Sequence, residues 1–332
     1  MQKLFGREKE LAKLNSYLAS ERSEFVAVYG RRRVGKTFLV RNAYQDKITF
    51  QLTGIVNVPM AQQLGNFHAE LLKRSHGLSA RQPATDWFSA FRQLIEFLEK
   101  KPGAEKKIIF LDELPWLDTR NSRFLSALEH FWNSWASART DILLVVCGSA
   151  ASWMLNNLIN NRGGLHNRIT DRIKLDPFTL RECEQYFQQK QSVLDRYQLL
   201  QLYMVFGGIP FYLDRIDPSS SAAQNINRLC FGEEALFRLE FDNLYASLFS
   251  KSERHTAVIE ALASKSKGLL RDELVRFSKL PNAGSTTKIL SELEESYFIR
   301  IYRPFGKSSK NSLYQLVDLY SLFYLKFIRD AD

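Results

Sequence analysis

Residues 29–38 read YGRRRVGKTF, and this stretch decides how the rest of the chain is read. The spacing G-x-x-x-x-G-K-T is that of a phosphate-binding loop. The backbone amides of Gly30 through Thr37 would line a nest around phosphate oxygens, at the N-terminus of the helix that follows. Lys36 would set its ammonium beside the β- and γ-phosphates, and Thr37 would give its hydroxyl to Mg²⁺. The motif needs a strand before it and a helix after it. "FVAVYG" (25–30) reads as a short buried strand, and a helix is expected from about Lys36. The nucleotide-contacting stretch is therefore Gly30, Arg31, Arg32, Arg33, Val34, Gly35, Lys36, Thr37 and Phe38. Three of the four free positions are arginine. Because the backbone of such a loop does the binding, most of its side chains point away from the phosphates. Arg31, Arg32 and Arg33 can then face a partner subunit, acidic lid residues or nucleic acid, or form salt bridges within the domain, and one of them can add charge near the γ-phosphate.

The second half of the chemistry lies in "IIFLDE" (108–113). An apolar run that ends in two acids is the pattern of a buried parallel strand. Asp112 at its end can hold the water shell of Mg²⁺, and Glu113 can orient and deprotonate an attacking water as general base. An acidic pair of this kind is common by itself. After a phosphate loop, with one extra strand between the two motifs, it marks the subclass in which a carboxylate beside the magnesium ligand activates water. That argues against small nucleoside kinases, which must exclude water. Ser149, in "VVCGSA", ends the next strand. Its side chain can contact the γ-phosphate or the attacking water, or it can cap the next helix. Arg168 and Arg172, in "HNRITDRI", follow a Gly-rich loop. Arg168 is a candidate finger for a neighbouring subunit's γ-phosphate, with structural salt bridging equally open.

Around these motifs, Glu8 to Leu18 has the apolar spacing of an amphipathic helix, and "KITFQLTG" (47–54) alternates as a second strand. Helices are expected near 60–75, 85–100 and 121–137. "DILLVVCGSA" (141–150) reads as another buried strand and "RIKLDPF" (172–178) as a short fifth. Strands alternating with helices give an α/β fold with a parallel sheet. After Pro177 the pattern is helical to roughly 249, broken by "GGIP" (207–210). From about 252 come three short helices, "SERHTAVIEALAS", "LLRDELVRFS" and "STTKILSELEESYF". Two alternating strands, "FIRIYRPF" and "SLYQLVD", follow. Three helices and a two-stranded wing is a winged-helix pattern. The expected domains are 1–176, a P-loop core; 177–250, a helical lid; and 251–332, the winged helix.

The bulk properties bound this reading. A chain of 332 residues suggests two or three domains. No run approaches the roughly 18 consecutive apolar residues of a membrane span, and the N-terminus lacks a signal-peptide pattern, so a cytoplasmic location is expected. Cys147, Cys183 and Cys230 lie far apart, and His68, His76, His130, His166 and His255 form no i, i+4 pair. Neither a zinc ribbon nor a catalytic transition metal is expected. The net charge of +10 suits a polyanionic partner, namely nucleotide, nucleic acid or an acidic protein surface, and equally suits a merely basic soluble protein.

In their order, "LFGREKEL", "YGRRRVGKTFLV", "IIFLDELPWL", "VVCGSA", "NRIT…IKLDPF" and "GGIPFYL" resemble the prokaryotic AAA+-type ATPases often called archaeal ATPases. These sit near the STAND signalling ATPases and the origin-recognition ATPases. The resemblance spans roughly residues 4 to 330. It implies an α/β P-loop NTPase of AAA+ (ASCE) type followed by a helical lid and a winged helix, with ATP and Mg²⁺ as ligands. It further implies that Phe5, Gly6 and Arg7 lie near the adenine and that Gly208 to Pro210 closes over base and ribose; read from the residues alone, GGIP is only a helix breaker. Members of the family usually carry a further nuclease-like domain, which would start about where "YLKFIRDAD" stands; either this protein lacks it or the sequence is a fragment.

The leading expectation is a Mg²⁺-dependent ATPase that couples lid closure to a partner or nucleic acid. The rivals are a slow nucleotide-gated switch and a winged-helix DNA-binding regulator with little turnover. The expected recognition helix, "STTKILSELEESYF", sets Lys288 against Glu292, Glu294 and Glu295, which disfavours base reading. Lys265, Lys267, Arg271, Arg276, Arg300, Arg303, Lys307 and Lys310 leave DNA-backbone contact open. Phe298, Tyr302 and Tyr314 are expected in the core. Arg168 also leaves a homo-oligomer open.

Overall fold

The apolar runs picked out above form most of a five-stranded sheet in the computed structural model. It describes residues 4–75, 82–103, 105–159, 164–165, 167–233, 235–249, 251–304 and 311–331. The strands are β1 (Glu24–Gly30), β2 (Ile48–Thr53), β3 (Lys107–Asp112), β4 (Ile142–Gly148) and β5 (Asp171–Leu175), in the order β2-β3-β4-β1-β5. β1 pairs in parallel with β4, β4 with β3, and β3 with β2. β1, β3 and β4 are buried at every position, which is why they read as continuous apolar runs. β2 alternates between buried and half-buried positions. β4 stands between β1 and β3, so the extra strand expected between the two motifs is present.

The helices that come before and between these strands in the sequence are α1 (Glu8–Ser16), α2 (Lys36–Tyr44), α3 (Met60–Arg74), α4 (Trp87–Glu99), α5 (Leu114–Leu117), α6 (Phe124–Ser134) and α7 (Ala151–Trp153). α4 starts in a reciprocal cap between Asp86 and Ser89. Its inner face, with Trp87 and Phe91, packs edge-on and tilted against Phe67 of α3 and Phe124 of α6. The helix expected over 121–137 is shorter. Arg123 takes a left-handed backbone (φ 54°) at its start, and the chain leaves the helix after Ser134.

Contacts group the chain into two compact units. One holds residues 1–29, 36–149 and 153–175; the other holds 30–35, 150–152 and 176–332. The second unit contains α8 (Leu180–Gln189), α9 (Arg196–Phe206), α10 (Pro210–Leu213), α11 (Ala222–Ile226) and α12 (Glu240–Leu248). It continues with α13 (Ser252–Ala263), α14 (Arg271–Ser278), α15 (Gly284–Glu295) and α16 (Leu319–Phe323). α8, α9 and α11 begin at side-chain caps from Thr179, Asp195 and Ser221. Strands β6 (Leu269–Leu270), β7 (Ile299–Tyr302) and β8 (Leu313–Leu316) form an antiparallel sheet in the order β6-β8-β7. The helix expected at "LLRDELVRFS" starts late: Leu269 and Leu270 pair with Tyr314 and Leu313 as β6, and α14 begins only at Arg271. The core of this unit is aromatic: Tyr212, Phe237 and Tyr320 meet with ring centroids 4.9–5.5 Å apart. No helix of the described residues is long and apolar enough to cross a membrane.

Candidate functional site

In the first unit the two motifs meet. Lys36 and Thr37 open α2, and Asp112 ends β3. The Thr37 hydroxyl donates to Asp112 Oδ2 at 2.9 Å, although 75 residues separate the two. Asp112 and Lys36 are both buried. Burial pushes the Asp112 carboxyl above its ordinary range; the bond from Thr37 opposes that shift, and the neighbouring Glu113 charge adds to it. Cys147, near the end of β4, lies fully buried beside them. Burial raises its thiol well above the usual value, the Asp112 charge raises it further, and Lys36 works the other way. Lys36 and Asp112 thus act on a single thiol.

Glu113 is the one residue of "IIFLDE" that leaves the sheet. The strand stops at Asp112, and Glu113 turns to φ 48°, ψ 50° at the head of α5. This left-handed conformation is rare for a side chain of its size. It is held from three sides. The Glu113 amide donates to Asp112 Oδ1 at 3.1 Å, the Gly54 amide donates to the Asp112 carbonyl at 2.9 Å, and the Trp116 amide donates to the Glu113 carbonyl at 2.9 Å. Gly54 is obligatory here, since a Cβ at that position would lie 2.6 Å from the Glu113 carbonyl oxygen. The turn aims the carboxylate at the end of β4. There the Ser149 hydroxyl donates to Oε1 at 2.6 Å and the Ser149 amide donates to Oε2 at 3.2 Å. This contact with Glu113 is neither of the roles left open for Ser149.

The site's donor set fits a divalent cation. Thr37 Oγ1 and Asp112 Oδ2 are hard oxygen donors 2.9 Å apart. A carboxyl that burial destabilises as an anion is one that a bound cation would stabilise.

The other predicted residues lie as follows. Gly6 and Arg7 both take left-handed backbones (φ 59° and 66°), and Arg7 is buried at the head of α1 with Nη1 3.7 Å from Glu10. Phe5 is half-buried. Arg168 is on an exposed turn, its amide bonded to the Leu165 carbonyl at 3.1 Å, and Arg172 is exposed on β5.

Loop residues 30–35 group with the second unit. Arg31 is buried, forms an ion pair with Asp318, and sets its guanidinium over the Phe298 ring at 4.9 Å. Burial works against its charge, but the Asp318 carboxylate outweighs this and holds the guanidinium above its ordinary range. Arg33 has a left-handed backbone (φ 69°), pairs with buried Glu240 and lies 4.2 Å over the Phe211 ring. Of the alternatives left open for these arginines, acidic residues of the later segments are what Arg31 and Arg33 meet. The glycines of "GGIP" are there for the backbone. The Phe178 amide donates to the Gly208 carbonyl at 2.7 Å, and a Cβ on Gly208 would sit 1.7 Å from the Phe178 carbonyl oxygen. Pro210 opens α10, which carries Phe211 and Tyr212.

A family model described as an ATPase domain predominantly from Archaea matches residues 4–216. The chain belongs to this archaeal ATPase family. Membership supports nucleotide binding and ATPase function in general. An uncharacterised protein of Methanocaldococcus jannaschii is 25% identical over 97% of this chain and 68% of its own length. Among solved structures, a Walker-type ATPase of Pyrococcus abyssi superposes with a TM-score of 0.67 at 17% identity, covering 98% of this chain and 96% of that one. The ORC2 protein of Aeropyrum pernix, solved as ADPNP–ADP complexes, gives 0.57 at 13% identity over 99% and 94%. At these identities the likeness is one of fold, and the fold is that of a P-loop AAA+ ATPase.

Within this archaeal ATPase the expected acidic obstacle on α15 is partly engaged. Glu292 pairs with His255 Nε2 at 2.7 Å, and Glu295 accepts from Ser291 at 3.0 Å. Several of the candidate DNA-facing cations are engaged too: Lys265 pairs with Glu273, and Arg271 donates to Asn282 and Thr287. Lys267, Arg276 and Arg300 are exposed. Lys307 and Lys310, like His76 and His166, lie outside the described residues. Phe298 and Tyr314 are buried as expected, but Tyr302 is exposed on β7, beside Arg300.

Sequence reasoning missed Asp318, Glu240 and Cys147. Asp318 has a legible local signal, an Asp that caps a helix three residues before Ser321. Nothing local in the sequence names its partner.

Proposed function

We propose that the chain binds ATP with Mg²⁺ and hydrolyses it. Residues 1–176 would form the catalytic core, 177–250 the lid and 251–332 a winged-helix domain whose position follows the nucleotide. The observation that carries this is the pair of contacts at the carboxyl ends of β3 and β4, Thr37 to Asp112 and Ser149 to Glu113. Lys36 binds the β- and γ-phosphates, with the amides of loop 30–37 around them. Thr37 and Asp112 would hold Mg²⁺, which when bound neutralises developing phosphate charge. Glu113 takes the proton of the attacking water, and the hydrogen bonds it accepts from Ser149 weaken it as a base until they lengthen. Phe5 to Arg7 and Gly208 to Pro210 recognise base and ribose, and Arg168 serves a neighbouring copy's site if the protein assembles. The nucleotide complexes of the Aeropyrum pernix relative support nucleotide as the ligand class. A cytoplasmic location accords with ATP as substrate.

Glu113→Gln is expected to keep ATP binding and cut turnover about a hundredfold or more, as loss of a general base should. Lys36→Ala is expected to abolish binding. Unchanged turnover in the first variant would remove Glu113 from the mechanism, and tight binding in the second would remove the loop.

One observation favours a second reading, a nucleotide-gated switch with slow turnover: both Glu113 oxygens are engaged by Ser149. The switched partner would be DNA, held through backbone contacts, or an acidic protein surface. ATP consumption with and without duplex DNA, at two salt concentrations, separates the readings. A DNA-coupled ATPase is stimulated in a salt-sensitive way, whereas a switch shows no sustained turnover in either condition.

A further inference from the structure

The chemistry proposed above uses the backbone of loop 30–35, yet two of its arginines are held, within the second unit, by acids far along the chain. Asp318 is 287 residues from Arg31 and is buried with it. The acid is itself fixed, since its Oδ2 accepts from the Ser321 amide at 3.0 Å as the cap of α16. Ser321 is held in turn by the Tyr245 hydroxyl at 2.9 Å. Glu240, the partner of Arg33, also accepts from the Tyr212 hydroxyl at 2.8 Å. Phe298 and Phe211 cover the two guanidinium groups. Each arginine therefore meets a carboxylate whose position is set by further hydrogen bonds and an aromatic face that fixes its plane. Surface salt bridges lack this support and contribute little.

We propose that Asp318 and Glu240 are positioning residues for the phosphate-binding loop, acting through Arg31 and Arg33 to hold its backbone in the shape that receives a triphosphate. The inference rests on the ATP-binding reading of that loop. Its physical basis is twofold. Arg33 holds a left-handed conformation that a side chain of its kind rarely adopts, and a strained loop residue persists only where its surroundings over-determine it. In addition, the loop runs without a break into Lys36 and Thr37, so a displacement of Arg31 or Arg33 is passed along the chain to the groups that meet phosphate and metal. Asp318 and Glu240 touch neither, and their effect should appear in nucleotide affinity rather than in the chemical step.

The test uses the full chain and steady-state ATP hydrolysis. The double variants Arg31→Met/Asp318→Asn and Arg33→Met/Glu240→Gln remove each ion pair without leaving a buried charge alone, which is the change most compatible with folding. Asn at 318 keeps a capping side chain for α16. In variants whose thermal unfolding stays cooperative, KM for ATP is expected to rise about tenfold to a hundredfold, the effect of misplacing a binding group by an ångström or so. kcat is expected to stay within about threefold, because Glu113 and Ser149 are untouched. Asp318→Asn alone, the mildest change, should raise KM in the same sense, and with Arg31→Met it should be strongly non-additive. Wild-type KM in any of the folded variants overturns the proposal. So does a fall in kcat with KM unchanged. Lys36→Ala is measured alongside: if it still binds ATP the loop reading itself has failed, whereas loss of binding there with wild-type KM in the pair variants sinks only the positioning role.

Discussion

Replacing Ser149 by Ala asks whether the grip on Glu113 restrains or assists the chemistry. In the structure the Ser149 hydroxyl gives the carboxylate its shortest contact, 2.6 Å to Oε1, and the Ser149 amide gives a longer one, 3.2 Å to Oε2. Alanine removes the first and keeps the second. A hydrogen bond to a charged group contributes about 1.5–3 kcal/mol net. The amide bond left behind retains part of the hold, so the lower figure, about 1.5 kcal/mol, is the appropriate one. If Glu113 must leave Ser149 to take a proton from water, that amount is subtracted from the barrier, and hydrolysis should quicken about tenfold. The assay is single-turnover hydrolysis of bound ATP, which reports the chemical step without product release. KM should not change, since the substitution leaves Lys36, Thr37 and the loop as they are. A slower single turnover in Ser149→Ala would refute the reasoning and would mean that the hydroxyl orients the base or contacts the γ-phosphate in the reacting state.

Two further outcomes concern the scaffold. Gly208→Ala should destabilise the second unit by about 3 kcal/mol or more, because its methyl would lie 1.7 Å from the Phe178 carbonyl oxygen and backbone must move to admit it; denaturant unfolding checks this, and a wild-type midpoint would contradict it. Asp141 accepts from Arg139, and its other contact is Lys107, at the far end of β3. The Arg139 bonds hold its carboxyl well below the usual range against the opposing effect of burial, with Lys107 adding to the depression. A depressed carboxyl lends stability that is complete above the ordinary carboxylate range, near 4, and fades as pH falls below it. Asp141→Asn should therefore cost roughly 2–3 kcal/mol at neutral pH and progressively less in acid, followed by thermal unfolding across that range. An equal loss at every pH would deny the ionic origin.

The sequence by itself determined the parts whose physics is local. Loop spacing, the apolar runs of β1, β3 and β4, and the alternation of strand and helix are each legible within a dozen residues, because periodicity is a short-range effect. That was enough to place Lys36, Thr37 and Asp112 on the right elements. The boundaries were less legible. Glu113 leaves the sheet because Gly54, just past β2, and Trp116 of α5 hold the turn in a left-handed conformation, and Leu269 and Leu270 pair with β8 instead of starting a helix. Only the tertiary structure decided where Arg31 and Arg33 go. Their partners stand 287 and 207 residues away (207 from 240 − 33), and no local pattern can name which acid a buried guanidinium will meet. That choice falls to the fold, which brings distant carboxylates to one place where burial makes an unpaired charge too costly to leave.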